Sequence, residues 1–193
     1  LGSLAEVAYL SQVGATPYTL MAGLGANGTA GVKSTSGPTA QWPQILTGEG
    51  GPVAISPAQT DAWYVNNGAG VSIHRCSSLG LCTAAGFGDS PVVSNADVAN
   101  DGLTMTQPAA FLIDPVDSTQ LLVATCRLWR GPAAPGTWTA ANAVTSMLGT
   151  GASRSYCSGN PLIQTMAAAA TPDGGEVVYA GAFAYANGGA KLS

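Results

Sequence analysis

Ten carboxylates, six basic side chains, one histidine and four cysteines make up the reactive inventory of this 193-residue chain. Four carboxylates stand in loop-like segments between apolar runs: Glu49 in LTGEGG, Asp89 in GFGDS, and Asp97 and Asp101 in NADVANDG. Two carboxyl groups about 6.5–9.5 Å apart across a sugar ring are what an inverting glycosidase needs. Glu49 with Asp97 or Asp101 are the candidates for such a pair. Acidic side chains in Gly-rich segments also serve as turn formers, and the catalytic residues are therefore read as none. Arg154 and Tyr156, in a third such segment, are candidates for binding, because a guanidinium and a phenol can hydrogen-bond a glycan. Trp129 ends an apolar run and is the tryptophan to test for exposure, since a free indole face stacks on sugars. Trp42, Trp63 and Trp138 fall within the strand pattern and are read as packing residues.

The cysteines stand at 76, 82, 126 and 157, and no pair has C-x-x-C spacing. A Cys3His zinc site with His74 would need ligands from three separate segments, so the reading includes no metal and no cofactor. Four cysteines allow three pairings. The favoured one is Cys76–Cys82, which closes the cheapest loop, leaving Cys126–Cys157. That pairing implies an oxidising setting and an extracellular or periplasmic location.

The elements that must position these residues are short strands. Only 8% of residues are charged, while 26 Gly and 12 Pro punctuate the apolar runs, a pattern of many strands joined by turns. The net charge of −4 comes with no basic cluster, which argues against nucleic acid as a partner. No apolar run approaches the ~20 residues that span a bilayer as a helix.

One cadence occurs three times. Val53-Ala54-Ile55-Ser56-Pro57 leads through a turn to Ala62-Trp63-Tyr64-Val65. Phe111-Leu112-Ile113-Asp114-Pro115 leads likewise to Leu121-Leu122-Val123-Ala124, and Ala168-Ala169-Ala170-Thr171-Pro172 to Val177-Val178-Tyr179-Ala180. The prolines are 58 and 57 residues apart, an even spacing that signals repeat architecture. A third strand follows at Val71–Arg75 and Cys126–Arg130, and Thr137-Trp138-Thr139 reads as a fourth. The expected fold is all-β: a β-propeller of four-stranded antiparallel blades with about three to four blades present. Its approximate units are 1–51, 52–108, 109–163 and an incomplete 164–193, and the first is also expected to be incomplete. Asp114, Asp117 and Asp173 are expected to cap the Pro turns.

Several segments resemble the sialidase-like β-propeller superfamily. Gly136-Thr137-Trp138 is similar to the end of the Asp-box repeat, Ser-x-Asp-x-Gly-x-Thr-Trp, with its Gly one place nearer the Trp. Arg75-Cys76-Ser77-Ser78-Leu79-Gly80 carries a second trace. Leu24 to Thr29 and Gly48-Glu49-Gly50-Gly51 resemble other turn segments of the same propellers. That superfamily includes sialidases, xyloglucanase-type glycoside hydrolases, sortilin-type receptors and bacterial secreted proteins. The resemblance implies a ring, so the chain is expected to be a segment of a longer propeller, or to be completed by a second chain. Sialidases hold substrate with three arginines beside a Tyr–Glu pair, and no residue here maps onto them. Where the xyloglucanase-type repeat has an Asp after its second strand, this chain has Asn66-Asn67. The expected function is a secreted, non-catalytic propeller segment that binds glycan or protein or acts as a scaffold. The alternative is part of a glycoside hydrolase whose other catalytic residues lie outside this chain.

Overall fold

The structure is a computed structural model that describes residues 6–13, 18–34, 41–59, 61–78, 80–134, 136–148, 157, 161–186 and 189–192. Antiparallel strands dominate it. The chain divides into two compact units, residues 1–68 with 72–92, and residues 69–71 with 93–193.

In the first unit, β1 (Tyr9–Val13), β2 (Tyr18–Gly23), β3 (Thr29–Ser34) and β4 (Gln44–Leu46) form one sheet in sequence order. The turn from β2 to β3 needs its glycines. Gly28 has φ +75°, and a Cβ there would collide with the Leu46 carbonyl oxygen. The expectation of an incomplete first unit is thus corrected: β1 supplies a strand that its weak sequence signal conceals, with partly buried residues alternating with exposed ones along YLSQV. Next come β5 (Val53–Ile55), β6 (Ala62–Asn66) and β7 (Ser72–Ser77), antiparallel neighbours in a second sheet. Met21 and Ile45 of the first sheet pack with Val53, Ile55, Trp63 and Val65 of the second, and with Cys76, Cys82 and Phe87, in one apolar core. The Cys76–Cys82 disulfide ties the end of β7 to the approach of the short helix α1 (Ala84–Phe87).

The second unit opens with β8 (Val93–Ser94). It contains β9 (Phe111–Ile113), β10 (Gln120–Ala124) and β11 (Leu128–Pro132) in one antiparallel sheet. A further sheet joins β12 (Leu162–Ala170), β13 (Glu176–Ala186) and β14 (Gly189–Leu192). The Cys126–Cys157 disulfide lies in this unit. Thr137-Trp138-Thr139 is not a fourth strand, which corrects the sequence expectation. Thr139 instead caps a short 3-10 turn at Ala140–Asn142 through a reciprocal bond with Asn142. Trp138 folds back so that its Nε1 donates to the Pro132 carbonyl at 2.8 Å. Gly131 makes room for it, since a Cβ there would lie 2.7 Å from the indole.

The first two Pro-turn hairpins match bond for bond. Ser56 N donates to Ala62 O and Ala62 N to Gln59 O; Asp114 N donates to Gln120 O and Gln120 N to Asp117 O. The capping group differs only in kind. Ser56 Oγ accepts from Gln59 N at 3.1 Å, and Asp114 Oδ1 accepts from Asp117 N at 3.0 Å. The register carries on across each sheet, with Ala54 opposite Tyr64 opposite Arg75, and Leu112 opposite Leu122 opposite Arg130. The third hairpin is tighter: Thr171 N donates to Gly175 O, and Ala170 pairs with Glu176. All three strands before a Pro turn are antiparallel to the strand after it.

Trp63 is fully buried, and Gly31 is the residue that admits it, because a Cβ at Gly31 would lie 2.8 Å from its ring and 3.0 Å from Ile45. Gly31→Ala is therefore expected to lower unfolding stability by about 1–3 kcal/mol through overpacking, measured by urea denaturation. An unchanged midpoint would mean that the two sheets are not packed as closely as described.

Candidate functional site

The segment from Asn95 to Met105 places the acidic candidates. Asp97 caps its own turn: its Oδ2 accepts from Ser94 N at 2.8 Å and Ser94 Oγ at 2.7 Å. Asn95 Oδ1 accepts from Val71 N at 2.9 Å. Ala99 and Asn100 then take positive φ, +53° and +61°. This reversal starts the 3-10 turn Asp101–Thr104 and sends Asp101 inward.

Asp101 is completely buried. Arg127 grips it with two bonds, Nε to Oδ2 at 2.7 Å and Nη2 to Oδ1 at 3.0 Å. Thr125 Oγ1 and Trp129 Nε1 also donate to Oδ2, at 3.0 and 3.2 Å. The Arg127 guanidinium lies 4.7 Å from the centroid of the Trp129 ring, within cation–π range. The tight turn between β10 and β11 makes this convergence possible, since Thr125 N donates to Arg127 O at 2.9 Å. Cys126, at the apex, is held by its disulfide, and its N–H donates to Cys157 Sγ. Asp101 and the two sulfurs lie close enough to suggest a metal cage, but sulfurs joined in a disulfide are not thiolate ligands.

The arrangement is a closed charge network. Asp101 is fully buried, and both of its carboxylate oxygens accept from protein donors, so neither is presented to solvent. Trp129 is fully buried too, and the expectation of an exposed stacking ring is corrected. Its indole serves Asp101 and Arg127 instead.

The other charged groups are engaged in similar ways. Arg130 pairs with Asp114, Nε to Oδ2 at 2.9 Å, and also with Glu176. Asp114 is buried and spends its other oxygen on Val116 N and Asp117 N. Arg75 lies over Tyr64 and donates to Gln59. Burial pushes the Tyr64 phenol up, against a smaller opposing pull from Arg75. His74 shares a contact with Ser72 Oγ at 3.2 Å. Among the described residues, every arginine thus has a protein partner. Arg154 and Tyr156 lie outside the described residues.

Glu49 is exposed on its loop. The loop itself is fixed by reciprocal backbone bonds between Gly25 and Gly50, at 3.1 and 2.7 Å. Glu49 belongs to the first unit and the two aspartates to the second. A feature that sequence reasoning misses lies on the first sheet. Trp42, expected to be packed, is 41% exposed and lines an open groove of about 730 Å³ with Val7, Leu10, Leu24, Asn27 and Gln44. The signal is the in-register row Leu10–Ala22–Ala30–Gln44 across four strands, invisible until β1 is recognised.

Comparison with protein-family models, with curated proteins and with solved structures finds no match.

Asp117 and Asp173 sit in the Pro turns and are acid-sensitive. Hydrogen bonds, led by the Thr119 hydroxyl for Asp117 and the Thr171 hydroxyl for Asp173, hold both carboxyls below the usual range. A folded pKa below the unfolded one gives stability that is present above the unfolded pKa and lost as pH falls through the folded value. Thermal unfolding followed against pH should therefore show stability falling below about pH 4, the ordinary carboxylate pKa, and Asp117→Asn should flatten that slope. An identical slope in the variant would show that the turn carboxylate contributes nothing.

Proposed function

We propose that this chain is a non-catalytic, secreted segment of a β-propeller whose sheets are the blades, acting as a glycan- or protein-binding module or a scaffold. The observation that carries the non-catalytic reading is the Asp101 network: one of the three carboxylates that the sequence offers for chemistry is held by Arg127, Thr125 and Trp129. Sialoside recognition would ask for arginines free to hold a carboxylate, and Arg75, Arg127 and Arg130 are engaged elsewhere. The blade reading is supported by the matched hairpins, which repeat both turn bonds and cross-strand register. Two intramolecular disulfides support an extracellular or periplasmic location, because such bonds persist in oxidising compartments.

A binding role would draw on the exposed first-sheet groove, where an accessible indole and the amide groups of Asn27 and Gln44 stand together. An apolar wall with few polar groups suits ligand binding in general. The test is incubation of the 193-residue protein with sialosides and β-glucans. The expected result is no released sugar, with or without weak saturable binding. Sugar release that disappears in Glu49→Gln or Asp97→Asn would overturn the proposal in favour of a glycoside hydrolase.

A further inference from the structure

Two Asn-Gly pairs lie among the described residues, Asn27-Gly28 and Asn67-Gly68. Asn-Gly is the dipeptide most prone to spontaneous deamidation, since glycine places no side chain in the way of its own nitrogen. We infer that Asn67 is a site of spontaneous, non-enzymatic modification, and that the fold protects Asn27 from the same reaction.

The chemistry needs only water. The Gly68 backbone nitrogen, losing its proton to solvent base, attacks Asn67 Cγ. The Cγ–Nδ2 bond breaks and ammonia leaves with that proton, closing a succinimide. Water then opens the ring: cleavage between Cγ and the ring nitrogen gives aspartate. Cleavage between the Asn67 backbone carbonyl carbon and the same nitrogen gives isoaspartate, with the backbone rerouted through Cβ and Cγ. No electrons are exchanged.

What separates the two sites is the state of the attacking nitrogen. Gly28 N is engaged, donating to Gly25 O at 2.9 Å. Its residue is also wedged, with no room for a Cβ against Leu46 O. Attack from Gly28 requires that bond to break and the turn to open. Gly68 N makes no hydrogen bond among the described residues, and nothing lies within 4 Å of its would-be Cβ. The Asn67 amide is held on one side only among the described residues: Nδ2 donates to Thr47 O at 3.3 Å, while Oδ1 is buried with no donor among them.

The product also changes a contact. Asn67 Nδ2 is a donor to the loop that carries Glu49, and a carboxylate in its place would face the Thr47 carbonyl with like partial charge. Aged protein would hold residues 47–49 less firmly and gain one negative charge.

The test is timed incubation of the folded protein in mildly alkaline buffer, followed by peptide mapping by mass spectrometry and isoaspartate detection. Asn67 should convert at least about fivefold faster than Asn27, the factor that breaking one backbone hydrogen bond before attack would impose. In denaturant the two rates should converge, and Asn67→Gln should remove the fast product while leaving the slow one. Equal rates in the folded protein, faster conversion at Asn27, or an inert Asn67 would each overturn the inference.

Discussion

A carboxylate taken out of water needs partners for its charge, and in the second unit that need organises the surrounding segments. Asp101 comes from a loop turned by two residues of positive φ, while Thr125 and Arg127 come from the tight turn between β10 and β11 and Trp129 from β11 itself. These segments are held in place by the ion pair and by the disulfide at the apex of the turn. Removing one partner of such a pair leaves an uncompensated buried charge. The fold therefore depends on residues two of which, read one at a time, are candidates for function: Asp101 for a carboxylate pair and Trp129 for stacking on a sugar.

A low density of charge sharpens this point. With 8% of residues charged, the protein has few ions to place, and many of them secure turns and sheets. Asp114 joins a Pro turn to Arg130 on β11, and Arg130 reaches Glu176 at the start of β13. Where the second hairpin uses Asp114 as cap, the first uses Ser56 for the same bond without the charge. The repeated unit is thus defined by backbone geometry, and its side groups vary around that.

What can be read in the sequence follows from range. The Pro turns and their flanking strands are local, so Val53–Ile55, Phe111–Ile113 and their partners are legible from apolar runs and prolines. The surroundings of Asp101 are not, because its partner stands 26 residues away and an Asp-Gly pair in a loop reads as a turn. Trp138 misleads for a related reason: Thr-Trp-Thr alternates like a strand, but the tertiary bond to Pro132 and the Thr139 cap decide its conformation. Trp42 reads as packed from its place in the pattern. Exposure depends on what covers a sheet face, and a single strand does not encode that.

Asp101 and Arg127 must act as one structural unit if the carboxylate is there for the fold and not for chemistry. The direct measurement is a double-mutant cycle on unfolding free energy with Asp101→Asn, Arg127→Met and the pair together. Each single change should cost about 3–5 kcal/mol, and the double variant little more than either one, because the second removal no longer strands a buried charge. Additive losses, or an Asp101→Asn protein as stable as the parent, would contradict this and return Asp101 to the groups available for chemistry.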